Sequence, residues 1–359
     1  MPLSRTLSRR ELEYYSRQIV LRELGYKGQL RLKNAKVSVV GLGGLGSSIA
    51  TQLTGMGVGH LRLVDRDVLE YSNLHRQHAY DAKHIGYPKV ELAGRRLRRL
   101  NPRVRIEELP MTVNTTNASR IVEGVDAVVD GLDRMAPRYA INRACVKSGT
   151  PYVFGSALTS MGNASTIIPE KTPCLECFYG NLDDASLPTC STAGINPAVL
   201  SIVTGVQVSE TIKLILGQDP ALAGQLLVCD LHRLSFDKIE VARVEGCPVC
   251  GGNSERQPTK LSEDSVEEIC SREGKRTFII NPKEILDLDM DLLDRIIAEQ
   301  DYSPTIKSRL ARGFKPTKEA SATIMKNGTM IVEGLAQVQD ATALYKKIVS
   351  RGLGFQVNL

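Results

Sequence analysis

Residues 37–50, VSVVGLGGLGSSIA, restrict the fold more than any other part of the chain. A β-branched apolar run breaks into glycines and resumes as small, helix-compatible residues, the pattern of a buried strand, a tight turn and a helix. Gly41, Gly43 and Gly46 fit G-x-G-x-x-G, a turn that lets a phosphate or ribose approach the backbone at the positive end of a helix. The next apolar run, HLRLVD at 60–65, ends on Asp65, where a carboxylate can accept both ribose hydroxyls. Together these features point to an adenosine-type ligand. A nicotinamide-dependent oxidoreductase would need a hydride-transfer site in addition, and no residue pattern announces one.

Strands and helices alternate through the first 150 residues. A helical region over 8–33 precedes AKVSVVG as a strand and a helix from about Ser47 to Gly55. HLRLVD, VRIEEL and VDAVVDGLD read as strands, PKVELAGRRLRRL and RYAINRACVKSG as helices. This order predicts an α/β fold with a Rossmann-like, mostly parallel sheet and helices on both faces. From Pro151 onward YVFGSAL, NASTIIP, GQLLVCDL and LSFDKIEVAR read as strands without a helix after each, which predicts an antiparallel extension. VLSIVTGVQVSETIKLILG is a long, buried helix. The turn-rich segment 251–265 divides the chain into residues 1–254 and a small C-terminal α/β domain, 255–359. There RTFIINP reads as a strand, 289–299 and 338–350 as helices, and SATIMKNGTMIVEGL as a hairpin turning at Asn-Gly.

The 359 residues are 42% hydrophobic and 24% charged with a net charge of +6, an ordinary globular balance that does not call for nucleic acid. The basic run GRRLRRLNPRVR lacks interleaved aromatics and reads as a solvated helix face over Val90, Leu97 and Leu100. No segment reaches the roughly 18 consecutive apolar residues of a membrane span, and MPLSRTLSRRELEYYSRQ lacks a signal peptide's apolar region. A cytoplasmic protein is expected. Four of the eight cysteines form two C-x-x-C pairs, Cys174/Cys177 and Cys247/Cys250. Four thiolates from two such knuckles make a closed tetrahedral shell, so structural Zn²⁺ is expected. A redox dithiol is the weaker alternative. Cys145 and Cys229 lie in helix and strand patterns and read as core, and Cys190 in LPTCSTAGINP reads as loop. Too little chain precedes Cys270 for a rhodanese-type sulfur-transfer domain, and His75, His78 and His84 match no closed metal site.

The residues beyond Asp65 are more specific. The chain carries RQIVL at 17–21, GLGGLG at 41–46, D-x-D at 65–67, NLHRQ at 73–77, PKVE at 88–91, the acid of DGLD at 133, and the C-x-x-C pairs. In order and spacing, over about residues 8–253, it resembles the ubiquitin-activating enzyme superfamily, including its ThiF/MoeB branch. The resemblance implies ATP-dependent adenylation of the C-terminal glycine of a ubiquitin-like or sulfur-carrier protein.

By resemblance, Gly41, Gly43, Gly44, Gly46, Asp65, Asp67, Asn73 and Gln77 surround the nucleotide, with Asp65 on the ribose. Arg76 and Lys89 contact the phosphates, Asp133 places Mg²⁺, and Arg17 reaches the ATP site of the opposite subunit, which implies a homodimer. Cys190 would take the activated carboxylate as a thioester. That leads to two expectations: transfer to a conjugating enzyme or acceptor, or sulfur-carrier activation serving thiamine, molybdopterin or tRNA thiolation. The C-terminal 255–359 lie outside the resemblance and are expected to dock a downstream protein. One departure stands out: the position after Asp133, often Asn in relatives, is Arg134 here.

Overall fold

The structure is a computed structural model that describes residues 4–252, 257–261, 265–270 and 276–356. Its larger sheet contains β1 (Lys36–Val40), β2 (His60–Val64), β3 (Arg105–Leu109), β4 (Ala127–Asp130), β5 (Tyr152–Leu158), β6 (Met161–Ile167), β7 (Gln225–Asp230) and β8 (Ser235–Glu240). They run in the order β3-β2-β1-β4-β5-β6-β7-β8. The first five are parallel and β6, β7 and β8 add antiparallel, so the expected extension is present. Strands buried on both faces need apolar residues at nearly every position, which is why VSVV and AVVD are continuous runs rather than alternations.

Helices Gly44–Met56, Lys89–Leu100 and Met135–Ser148 connect the parallel strands. The first starts three residues before the sequence suggests. The glycine turn is itself its first turn, because Gly46 packs against the Gly41 carbonyl and leaves no room for a side chain. Pro197–Leu216 is long and apolar enough to cross a membrane by length and composition, but it packs against β5 and β6. There Gln207 Nε2 donates to the carbonyl of Asp130 at 2.8 Å. Glu210 accepts from Leu222 N at 2.8 Å and from Thr166 Oγ1 at 2.9 Å. The helix over the basic run buries Val90 and Leu97, but Leu100, expected under the same face, is its last residue and is exposed.

The C-terminal residues build a second sheet. It holds β9 (Val266–Cys270), β10 (Arg276–Ile280), β11 (Ser303–Lys307), β12 (Ala311–Lys315), β13 (Ser321–Met325) and β14 (Met330–Glu333), in the order β11-β12-β13-β14-β10-β9, all antiparallel. The Asn-Gly hairpin forms, but only Gly328 of the pair takes positive φ, +90°, so the turn is longer than two residues. One face packs Phe278, Ile280, Phe314, Ile324, Met330 and Val332 under helices Met290–Glu299 and Val338–Tyr345. The other face packs Ile279, Ala311, Met325 and Ile331 against Val68, just beyond β2.

Candidate functional site

The site forms at the carboxyl ends of β1, β2 and β4, where a parallel sheet presents its ligand crevice. The helix Gly44–Met56 opens here, with Gly43 as N-cap and no side chain capping it. Its first N–H groups are left for a ligand. Asp65, buried at the end of β2, accepts from Leu42 N and from Asp67 N, each at 2.6 Å. Both carboxylate oxygens are thus tied to the backbone and keep one lone pair each for hydroxyls. Burial and the neighbouring Asp67, opposed by Lys89, raise Asp65 to about 6.

Lys89 is 5% exposed and donates to Asp67 Oδ2 at 3.0 Å. Burial works against its charge, but Asp67 and Asp65 outweigh this and hold the ammonium above its ordinary range. It therefore enters the site as a fixed cation. Arg76 Nη1 donates to the carbonyl of Ser72 at 2.8 Å, which orients the guanidinium along the turn 71–77. Asn73 and Gln77 from that turn are buried. Gln77 Oε1 has no hydrogen-bond partner among the described residues, and its amide Nε2 lies 3.8 Å from where a Cβ on Gly43 would stand. An orphaned polar atom beside an open glycine fits a nucleotide seat.

Asp133 is exposed on the loop after β4. Two residues that the sequence motifs do not single out hold this loop in place. Asp130 is fully buried and accepts from Arg138 Nε at 2.9 Å, Tyr152 Oη at 2.8 Å and Leu132 N at 2.8 Å. Arg138 also donates to the carbonyls of Leu132 at 2.6 Å and Gly155 at 2.8 Å. The spacing in DGLDRMAPR contains the signal: an acid ending a strand and a cation one turn into the next helix.

Arg17 is not part of this group. Gln18 donates to the carbonyl of Met56 at 2.8 Å, at the far end of the 13-residue helix Gly44–Met56. At 1.5 Å per residue that is roughly 20 Å from the glycine turn. Arg17 is exposed, among the exposed Leu12, Tyr14, Val20 and Leu21.

Cys190 opens a one-turn helix, Cys190–Ala193, rather than lying in plain loop; its side chain is outside the described residues, as is that of Cys270. Cys145 and Cys229 are core, as expected. The sulfurs of Cys174, Cys177, Cys247 and Cys250 lie within 4.8 Å of one another, with Cys174–Cys247 at 3.7 Å and Cys177–Cys250 at 3.5 Å. A tetrahedral tetrathiolate with metal–sulfur bonds of about 2.3 Å has sulfur–sulfur edges of about 3.8 Å, so the cluster is of a size to hold one ion. It ties the segment after β6 to the chain beyond β8.

A nucleotide crevice on a doubly wound sheet, with an antiparallel extension and a four-cysteine clasp, defines a class. The ThiF family profile matches residues 15–249, and the chain belongs to that family. The sulfur carrier protein adenylyltransferase of Thermus thermophilus is 38% identical over 269 residues, 73% of this chain and 98% of the relative. The SAMP-activating enzyme E1 of Haloferax volcanii is 37% identical over 247 residues, 68% of this chain and 91% of the relative. Among solved structures, E. coli MccB with MccA-N7isoASN superposes with a TM-score of 0.61 at 24% identity, covering 67% of this chain and 75% of that one, a likeness of fold.

Proposed function

We propose that the protein is an ATP-dependent adenylyltransferase acting on the C-terminal carboxylate of a small ubiquitin-like or sulfur-carrier protein. The observation that carries this reading is the arrangement of Asp65, Gln77, Lys89 and Asp133 around the open end of the glycine-turn helix. Names of relatives such as the Thermus and Haloferax enzymes support the substrate class.

In the reaction a carboxylate oxygen attacks the α-phosphorus of ATP, and the bond to the bridging oxygen breaks. Pyrophosphate leaves with that electron pair, and the acyl adenylate remains. No proton need move, so catalysis is charge stabilisation. Lys89 and Arg76 are the cations for the phosphates, Asp65 holds the ribose, and Asp67 fixes Lys89. Asp133 is the residue to hold Mg²⁺, whose chemistry would be to neutralise the departing pyrophosphate. In a second step the Cys190 thiolate attacks the acyl carbonyl and AMP leaves, giving a thioester. Arg17 completes the site of a second subunit, and the exposed apolar residues around it support a homodimer. The four-cysteine cluster takes structural Zn²⁺, which keeps both knuckles together.

Pyrophosphate exchange into ATP tests the reading, run with and without glycine-tailed carrier proteins. Carrier-dependent exchange is expected, and its absence with every carrier would contradict the assignment. A reductant-sensitive conjugate lost in Cys190→Ala and passed on to a lysine would mark the conjugation route; a thiocarboxylate product would mark sulfur-carrier activation.

A further inference from the structure

The C-terminal sheet touches three of the chain segments that carry the nucleotide site: the one after β2, the one leading into the Lys89 helix, and the loop after β4. Val68, after the D-x-D acids, lies under its apolar face. Ile306 packs over Gly86, and Leu310 N donates at 2.9 Å to Glu91 in the first turn of the Lys89 helix. Leu310 itself is 6% exposed and buried in the core of the larger sheet.

A further contact is ionic. Glu267 on β9 accepts from Arg66 Nη1 at 2.6 Å and Nη2 at 3.0 Å, a bidentate pair. The same carboxylate accepts from Arg134 Nη1 at 2.5 Å, and Asn281 Nδ2 adds a weaker bond at 3.3 Å. Arg66 stands between Asp65 and Asp67, and Arg134 is the residue directly after Asp133. Arg134 Nε also lies 3.7 Å from Asp184, which caps the next helix through Met135 N at 2.6 Å and Ala136 N at 3.0 Å.

We propose that Glu267 is a positioning residue for the nucleotide site, engaging Arg66 and Arg134 so that Asp133 and Asp67 stay available to the metal–phosphate group and Lys89. This rests on the metal-holding role proposed for Asp133. The physical basis is charge. Two guanidiniums flank the acids of the site. With Glu267 removed, the anions left to them are Asp67, 3.9 Å from Arg66 Nε, and Asp184, 3.7 Å from Arg134 Nε, with Asp133 next to Arg134 in the chain. A carboxylate paired with a guanidinium is a poorer ligand for a divalent cation and no longer fixes Lys89. The C-terminal sheet therefore acts on the nucleotide site itself.

Direct titration of the full chain with the Mg²⁺ complex of a non-hydrolysable ATP analogue tests this without any carrier protein. Glu267→Gln keeps the shape and removes the charge; its Kd should rise about tenfold, with a matching rise in the Mg²⁺ concentration needed for half-saturation. Glu267→Asp, which keeps the charge, should lose only about threefold. Adding Arg134→Asn to Glu267→Gln removes one competing cation and should recover part of the loss, a rescue that a merely structural role would not produce. Binding by Glu267→Gln within about twofold of wild type, or a double variant no tighter than Glu267→Gln, would overturn the inference while leaving the proposed function standing. No nucleotide binding by the wild-type chain would overturn both.

Discussion

The two sheets are covered differently. The parallel strands have helices of their own unit on both sides, including Gly44–Met56 and Pro197–Leu216 against one face and Met135–Ser148 against the other. The C-terminal sheet has two helices on one face only and rests the other on the nucleotide unit through Val68. A sheet with one face left bare would expose Ile279, Ala311, Met325 and Ile331 to water. The second sheet is therefore built as a layer against the first. The difference teaches that this C-terminal region is packed into the molecule rather than appended to it.

The largest expected effect comes from the clasp that joins the two ends of the antiparallel extension. Cys174→Ser, or exhaustive chelation, should lower the thermal midpoint by about 10 °C, because a structural metal site contributes folding free energy outright. An unchanged midpoint with no metal found by elemental analysis would remove Zn²⁺ from the account. Next, Asp133→Asn should reduce pyrophosphate exchange about 10²–10³-fold while leaving the midpoint in place, since the side chain is exposed.

Leu310→Ala probes the comparison directly. Its side chain enters the core of the other sheet, so truncation should cost about 2–5 kcal/mol in denaturant unfolding and should destabilise both sheets together. Two separated transitions, with only the C-terminal one shifted, would show that the layers fold independently.

The smallest effect is a pH slope at the sheet's opposite end. Burial, then the nearby Lys36, Arg105 and Arg62 against the pull of Glu107, lower His60 from 6.5 to about 4. Between those values the unfolded chain binds a proton that the folded one does not. The His60 contribution to stability should therefore fall as pH drops from about 6.5 towards 4, opposed below about 6 by buried Asp65, whose raised value favours the folded chain as it takes up its proton. His60→Gln should flatten that part of the profile in thermal melts.

Much of the nucleotide unit was legible because its constraints are local. Buried parallel strands must be apolar at successive positions, glycines must stand where backbones meet, and metal knuckles keep their spacing. The illegible features depend on partners distant in sequence. β9 reads as VEEIC, with two acids, because Glu267 faces Arg66 and Arg134 while Glu268, on the opposite side, faces Arg276. Strand β11, SPTIK, is an exposed edge with no apolar alternation to reveal it. Arg17 stands at the far end of the glycine-turn helix from the site, so the role proposed for it requires a second subunit.

The central claim is that the cradle at Gly41–Gly46 serves adenylation, and radiolabelled pyrophosphate exchange measures that step alone. The account predicts incorporation of label into ATP that depends on Mg²⁺ and on a glycine-tailed carrier protein, and that is lost in Lys89→Ala. Tight NADH binding with no exchange in the presence of any such carrier would contradict it.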